Sequence, residues 1–260
     1  MRHLLLVRHG ESLWNAEGRI QGQSCAGLSP RGHEQARAFA AAYAPGLQRL
    51  REAEPAAVRI VSSDLQRAAE TAEPVSARVG VEVQQDRRLR ERAFGRWEGR
   101  SHADLAAAEP ERYRRWTTGA DVMTEIGAET ATELADRVAP ALASLLLTTP
   151  RGGITVVVTH GGSIWHGLHR LLGLRSRSLG PVGNASVAEL LLLVDEDGSV
   201  VPDEGTTGGN GAADGAADGA DPGAVRPILA SYNDLAHLPV ELRTGGFVTG
   251  TTSDAVPQMR

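Results

Sequence analysis

The chain has 260 residues, of which 41% are hydrophobic and 23% charged, proportions that are ordinary for a folded globular protein and exclude wholesale disorder. Its formal net charge of −5 provides no general basic field, so neither nucleic acid nor an anionic membrane surface is an expected partner. All 27 basic residues are arginine, which excludes Schiff-base and P-loop lysine chemistry, and the single cysteine, Cys25, excludes an intrachain disulfide and a cysteine-based zinc cluster.

The sequence also lacks the patterns that direct a chain into or across a membrane. No apolar run approaches the roughly 18–20 residues that a membrane-spanning helix needs. The apolar run near the N-terminus is too short for the core of a signal peptide. We therefore expect a cytoplasmic protein with no membrane partner.

The first third of the chain alternates between short apolar runs and amphipathic stretches. Residues 4–7 predict a buried strand that ends at Arg8, His9 and Gly10. Ser29 and Pro30 are typical of a helix start, with serine at the N-cap and proline at the first helical position. The apolar stripe of this helix comprises Ala36, Phe39, Ala40 and Tyr43.

A second strand and helix follow in the same order. Residues 58–61 predict the strand, and the segment 63–66 (S-D-L-Q) resembles a capping box that starts the helix at Ser63. Val81 and Val83 alternate with polar neighbours, which indicates a third strand.

The second half of the chain continues the alternation. Thr130 and Glu133 form a capping-box pattern before a long apolar-faced helix. Residues 154–158 predict the clearest buried strand, which is followed by a helix over 163–172. Two further strands are predicted at 187–194 and 228–232.

One stretch between the last two strands has a different composition. Residues 202–224 are rich in Gly, Ala and Asp and contain too few apolar side chains to offset the entropy of ordering. We predict a disordered insertion there, a loose tail over 244–260, and a single domain that spans 1–260.

Strands that alternate with amphipathic helices predict an α/β fold, a three-layer αβα sandwich with a mostly parallel central sheet. Ligands of such sheets bind beyond the carboxyl ends of the strands. The segments that follow predicted strand ends are 8–10, 62–67 and 160–162.

These segments together offer a site for a phosphoryl dianion. Arg8 and Arg67 carry planar, permanently charged forks that suit tetrahedral oxyanions. Arg67 also lies in the first turn of its predicted helix, where backbone N–H groups favour an anion. His9 and His160 add two imidazoles that could donate, accept or attack. Each residue alone is weak evidence, because a single histidine or arginine is more often structural or solvated, but burying two guanidinium groups without an anion would be costly.

Four motifs in these regions resemble those of the histidine phosphatase superfamily, also called the phosphoglycerate-mutase-like family. The segment 6–12 reads L-V-R-H-G-E-S, 62–71 reads S-S-D-L-Q-R-A-A-E-T, 89–99 reads L-R-E-R-A-F-G-R-W-E-G, and 158–162 reads V-T-H-G-G. As an ordered set they are highly specific for that family, and we favour its phosphatase branch.

The resemblance implies a role for each matching position. His9 is then the nucleophile that becomes phosphohistidine, and Glu91 the proton donor to the leaving oxygen. The implied clamp on the phosphoryl oxygens comprises Arg8, Arg67 and His160. The implied substrate-binding residues are Asn15, Gln21, Gly22 and Gly161. The rim loop, residues 21–29, departs from the family pattern, because Cys25 stands where an aspartate is common.

The chemistry of phosphoryl transfer is consistent with these roles. Positive charge from Arg8, Arg67 and a protonated His160 would neutralise the equatorial oxygens, so we expect neither a metal nor a cofactor. A carboxylic acid at Glu91 can protonate the leaving oxygen and later deprotonate water. The alternative for Glu91 is a surface carboxylate paired with Arg90 or Arg92.

Three functions remain open at this point. We favour a phosphomonoesterase that hydrolyses a small phosphorylated metabolite, a sugar phosphate or phosphoglycerate derivative. A cofactor-dependent phosphoglycerate mutase is the first alternative, but the E-R-H-Y-G pattern of the mutases is E-R-A-F-G here, at 91–95. A non-catalytic phospholigand-binding module is the second. The basic run at 111–115 is either a short lid or a solvated helix face. The family resemblance also implies a homodimer.

Overall fold

The computed structural model of the protein describes residues 1–24, 27–175, 178–195, 197, 199–200 and 227–244. Within these residues the strands are β1 Arg2–Arg8, β2 Val58–Ser62, β3 Val83–Gln85, β4 Ile154–Thr159, β5 Val187–Leu192 and β6 Ile228–Asp234. The α-helices are α1 Leu13–Ala16, α2 Pro30–Ala53, α3 Gln66–Val79, α4 His102–Ala108, α5 Pro110–Thr117, α6 Ala131–Thr148 and α7 Gly161–Leu172. Cys25, the predicted insertion at 202–224 and the predicted tail beyond Thr244 lie outside the described residues.

The strands form one six-stranded sheet in the order β3-β2-β4-β1-β5-β6. β1 to β4 run parallel to one another, whereas β5 is antiparallel to both β1 and β6. The predicted mostly parallel sheet is therefore confirmed. The register of the central pairs brings the carboxyl ends of β1, β2 and β4 to the same edge.

Helices cover both faces of the sheet because its central strands are apolar on both sides. Successive side chains of a strand point to opposite faces. In β1, Leu4 and Leu6 belong to the core beneath α6 and α7. Leu5 and Val7 belong to the core beneath α2 and α3. The result is the predicted three-layer αβα sandwich.

Two of the three predicted helix starts have the expected caps. Ser29 Oγ accepts a hydrogen bond from the Gly32 N–H at 3.0 Å, and Thr130 forms a complete capping box with Glu133. The capping box at Ser63 is wrong, because α3 begins at Gln66 and no side chain caps its N-terminus. The Ser63 hydroxyl instead lies 2.9 Å from His160 Nε2.

The segment between the third strand and α6 carries short helices that the apolar pattern does not predict. Here α4 and α5 pack around a third, smaller core that contains Trp97, Leu105 and Val122. This core lies apart from the two that cover the sheet. In the described part of the chain, no helix combines the length and apolar character needed to cross a membrane.

Candidate active site

Three neighbouring parallel strands carry the predicted site residues to one edge of the sheet. The chain leaving β1 carries Arg8 and His9, the chain leaving β2 leads into α3 with Arg67 in its first turn, and the chain leaving β4 carries His160. All four side chains are buried. The rings of His9 and His160 lie 5.1 Å apart between their centroids. The expected cluster of two arginines and two histidines therefore exists.

The hydrogen bonds of His9 define which of its nitrogens can attack a substrate. Nδ1 lies 2.6 Å from the Gly10 carbonyl oxygen, which can only accept, so Nδ1 carries the proton and Nε2 holds the lone pair. Arg67 Nε donates to that Nε2 at 3.2 Å. Burial, followed by the charges of Arg67 and Arg8, holds the pKa of His9 well below its ordinary value. The site thus contains a neutral imidazole with a nucleophilic Nε2.

His160 is also neutral, which corrects the expectation that it contributes positive charge. Burial, followed by the charge of Arg67 and its other neighbours, holds the pKa of His160 well below its ordinary value. Its Nε2 pairs with Ser63 Oγ, whereas Nδ1 is buried and has no hydrogen-bond partner among the described residues. When Ser63 donates to Nε2, the ring proton lies on Nδ1, which can then donate to an oxygen of a ligand.

The two guanidinium groups supply the permanent charge of the site. Arg67 joins the nucleophile to the rim loop, because its Nη2 donates to the Gly22 carbonyl at 2.8 Å and its Nη1 to the Ser24 carbonyl at 3.1 Å. Burial lowers the pKa of Arg8 to about 10, while the carboxylate of Glu91 acts in the opposite direction. Arg8 therefore remains charged at neutral pH.

The Glu91 carboxylate faces the N-terminus of α7. Its Oε2 accepts from the Gly162 N–H at 3.0 Å and its Oε1 from the Arg92 N–H at 2.8 Å. Neither alternative partner's guanidinium is engaged with this carboxylate: Arg90 makes a two-pronged contact with Asp64 at 2.7 and 2.6 Å, and Arg92 Nη2 lies 2.8 Å from His166 Nε2. Glu91 therefore lies beside the segment that carries His160.

The remaining predicted substrate-binding residues line the same edge. Asn15 closes the capping box of α1 with Ser12, whose hydroxyl donates to Gln21 Oε1 at 2.7 Å. Gly22 has a φ of +55°, in the left-handed region that favours glycine, and a Cβ there would overlap the Glu98 carboxylate. Gly161 begins α7, where a Cβ would come within 3.3 Å of Arg8 Nε. Asn15 and Gln21 are thus linked through Ser12, whereas Gly161 lies against Arg8.

The family model for the histidine phosphatase superfamily (branch 1) matches residues 4–201 of the chain. The chain belongs to the histidine phosphatase superfamily. A curated relative, glucosyl-3-phosphoglycerate phosphatase of Mycolicibacterium vanbaalenii, is 37% identical over 73% of this chain and 84% of that protein. A protein from Citrobacter koseri described as probable phosphoglycerate mutase GpmB is 39% identical over 67% of this chain and 76% of that protein.

Solved structures give the same family. A mycobacterial glucosyl-3-phosphoglycerate phosphatase in complex with VO3 superimposes with a TM-score of 0.65 at 31% identity, covering 90% of this chain and 99% of that one. A structure described as mycobacterial hydrolase 1 has a TM-score of 0.67 at 32% identity, with coverage of 90% and 99%.

Asn184 is a site residue of this histidine phosphatase that sequence reasoning missed. Its Nδ2 donates to the His9 carbonyl at 3.2 Å and to Asn15 Oδ1 at 3.3 Å. Asn15 Oδ1 also accepts from the Ser12 N–H at 3.2 Å. Because its oxygen is occupied by these donors, the Asn15 amide presents its NH2 group for donation to a ligand. The only sequence signal is the Gly-Asn turn just before β5.

The basic run at 111–115 is an ion-paired helix face. Arg112 and Arg115 both contact Glu125, at 3.0 and 2.8 Å, and Arg114 contacts Glu111 at 2.7 Å. These arginines of α5 therefore form ion pairs with nearby carboxylates. This favours the interpretation of the run as a solvated helix face over its interpretation as a short lid.

Histidine, cysteine and acidic side chains are the groups that commonly hold metal ions. Across the described ranges, no three His, Cys, Asp or Glu side chains converge as a ligand set. His166 Nε2 pairs with Arg92 at 2.8 Å, and His169 Nδ1 pairs with the Trp165 carbonyl at 2.7 Å, so these two histidines face different partners.

Proposed function

We propose that this protein is a phosphomonoesterase that hydrolyses a small phosphorylated metabolite through a phosphohistidine at His9, without a metal ion. The observation that carries the proposal is the state of His9: a neutral ring whose Nε2 lone pair lies against the Arg67 guanidinium. An oxyanion bound by Arg67 would bring its phosphorus to that nitrogen. Two buried guanidinium groups provide the positive charge that a metal supplies in other phosphatases.

The first half of the reaction transfers the phosphoryl group to the protein. The His9 Nε2 lone pair forms a bond to phosphorus as the bond from phosphorus to the leaving oxygen breaks in line. Glu91, in its acid form, gives its proton to that oxygen, which departs as an alcohol. Arg8, Arg67 and the Nδ1–H of His160 hold the equatorial oxygens.

The second half regenerates the enzyme. The Glu91 carboxylate takes a proton from a water molecule, whose oxygen attacks phosphorus as the bond from phosphorus to His9 Nε2 breaks. Inorganic phosphate leaves, and Glu91 is again the acid that the next cycle needs.

The substrate class is proposed from the relatives. The one that is named glucosyl-3-phosphoglycerate phosphatase covers most of the chain, which supports a phosphorylated sugar or a phosphoglycerate derivative. The relatives named as probable mutases make phosphoglycerate mutase the second candidate. Ala93 and Phe94 stand where the mutase pattern has His and Tyr, which favours hydrolysis.

We also propose a cytoplasmic homodimer, on the family resemblance alone. Sedimentation velocity of the full chain measures the mass of the particle and so tests the dimer.

Phosphate release from p-nitrophenyl phosphate in the presence of EDTA tests the proposed function. We expect turnover by the wild type, none by His9→Ala, and full turnover by His33→Ala, a matched change at an exposed histidine of α2. An acid-labile phosphoenzyme should form in the wild type and in His33→Ala, but not in His9→Ala. Retained turnover by His9→Ala would contradict the mechanism.

The same assay separates the alternatives. A binding module would release no phosphate and form no phosphoenzyme. A mutase would interconvert phosphoglycerate isomers with little net release. Values of kcat/KM across a panel of phosphorylated sugars and hydroxy acids would then identify the preferred substrate.

A further inference from the structure

We propose that Arg137 and Glu129 form a clamp that positions the proton donor Glu91, so that both act on the reaction without touching the substrate. The inference rests on the proposed function, in which Glu91 transfers the proton. The clamp lies outside the four motifs that identify the site, and neither residue was singled out by its sequence pattern.

Arg137 binds the backbone of the segment that carries Glu91. From α6, its Nη1 donates to the carbonyls of Arg88 and Arg90, both at 2.9 Å, and its Nη2 approaches the Glu91 carbonyl at 3.4 Å. This segment runs between a short 3-10 turn at Arg87–Leu89 and another at Gly95–Trp97, so its carbonyls have no helix or sheet ladder to pair with. One guanidinium therefore serves several of these acceptors at once.

Glu129 completes the clamp from the other side of Glu91. Its carboxylate accepts hydrogen bonds from Arg137 Nε at 2.9 Å and from Arg137 Nη2 at 2.7 Å. This is the two-pronged geometry in which arginine binds a carboxylate most strongly. Its backbone N–H donates to the Ala93 carbonyl at 2.8 Å, and its Oε2 accepts from the Ala93 N–H at 3.3 Å. The chain is thus held both before and after Glu91.

This fixation bears on catalysis because the Glu91 side chain has few anchors of its own. Its carboxylate is held by the N–H groups of Arg92 and Gly162 alone among the described residues, so its position follows the position of its backbone. A displacement of about 1 Å in a reacting group can cost roughly 100-fold in rate. We therefore expect loss of the clamp to affect proton transfer before it affects phosphate binding.

Other contacts keep the segment in place when the clamp is removed, which makes the test feasible. Arg90 remains paired with Asp64, and the Ser163 hydroxyl donates to the Arg90 carbonyl at 2.8 Å. Arg137→Met should therefore fold, with its Glu91 less tightly positioned. Arg137→Lys keeps the charge but lacks the fork, and we expect it to show a smaller loss in the same direction.

The experiment measures the rate constant of the first turnover, which isolates transfer to His9. Two esters are compared: p-nitrophenyl phosphate, whose leaving group needs no proton, and an alkyl phosphate, whose leaving group needs one. Arg137→Met should slow the alkyl ester roughly 100-fold and the aryl ester only a few-fold. In the double variant Glu91→Gln/Arg137→Met, the alkyl ester should react no more slowly than in Glu91→Gln alone.

Arg170→Met is the matched control. Arg170 pairs at 2.7 Å with Asp136, the neighbour of Arg137 on α6, but this pair is largely exposed. The variant Arg170→Met should leave the first-turnover rates of both esters unchanged. Equal losses for the two esters in Arg137→Met, or additive losses in the double variant, would overturn the clamp. A wild type that gives no first turnover with either ester would instead contradict the proposed function.

Discussion

Arg67 Nε donates its hydrogen bond to His9 Nε2, the nitrogen that attacks phosphorus in the proposed mechanism. The guanidinium and the substrate therefore compete for one lone pair. In the proposed reaction, binding of the phosphate shifts this donor from the imidazole to a phosphoryl oxygen, and so frees the nucleophile only when a target is present. The same contact helps to keep His9 unprotonated, because a nearby positive charge disfavours a second one.

Substitution of Arg67 should change the pH dependence of the reaction. In Arg67→Met the cation next to His9 is lost, so the pKa of His9 rises and the acid limb of the kcat/KM profile moves to higher pH. The rate should also fall by about 10²–10³ at neutral pH through loss of oxyanion stabilisation. Arg78→Met, at the exposed end of the same helix, is the control. An acid limb that does not move would show that the charge of Arg67 does not lower the pKa of His9.

Glu91→Gln should separate esters according to their leaving groups. Glutamine keeps the size and the hydrogen-bond acceptor of the side chain but cannot transfer a proton. The first turnover of alkyl phosphates should fall by about 10²–10⁴, whereas that of activated aryl phosphates should change little. Glu73→Gln, at an exposed position of α3, is the control. Equal losses for both classes would remove Glu91 from the acid role.

Asn184→Ala should weaken phosphate binding through Asn15. Without the Asn184 donor, the Asn15 amide is free to turn its oxygen toward the bound anion. Loss of about one hydrogen bond corresponds to roughly tenfold in affinity, measured as the inhibition constant of inorganic phosphate or vanadate. Gln48→Ala, which removes an amide contact to the Arg78 carbonyl, should have no effect. An unchanged inhibition constant in Asn184→Ala would contradict the proposed orientation of Asn15.

His166 should make the fold sensitive to acid. Burial, followed by the neighbouring Arg92 charge, lowers the pKa of His166 to about 3. Below pH 6.5 the unfolded chain therefore binds a proton at this residue that the folded chain does not, so the free energy of unfolding decreases as the pH falls.

Urea titrations of wild type and His166→Gln measure this effect. Between pH 6.5 and 5 the wild type should lose between about 1 and 2 kcal/mol more of its unfolding free energy than the variant. The acid sensitivity that remains in the variant is expected from the buried His9 and His160, whose pKa values are also lowered. Parallel pH dependences for the two proteins would contradict the prediction.

Much of the fold follows from the periodicity of apolar residues. The buried strands and long amphipathic helices are the elements whose pattern is strongest, and the structure contains each of them. The helices α4 and α5 are only 7 and 8 residues long and pack on a small local core, so each contains too few turns to establish a helical period from the sequence. The false capping box at Ser63 has a different cause, because tertiary contact with His160 claims the hydroxyl that a local rule assigns to the helix.

The site residues that follow the parallel strands could be predicted from the sequence, because the alternation of strands and helices indicates that those strands are parallel. Carboxyl ends of parallel strands meet at one edge, and that rule located Arg8, His9 and His160. The rule did not predict Asn184, because β5 runs in the opposite direction and the start of this strand, rather than its end, lies at the site. Nothing in the apolar pattern of a strand gives its direction. Arg137 was not predicted because most of its contacts are to backbone carbonyls, which leave no pattern in the sequence.

The reversed direction of β5 also determines where the protein can tolerate change. β5 ends at Leu192, and β6 begins at Ile228, its partner in register being Leu191. Both of these strand ends lie at the margin of the sheet opposite the histidine pair. Because β5 and β6 both meet the intervening chain at the margin away from the histidine pair, we expect a reporter or an affinity handle placed between them to leave the chemistry undisturbed.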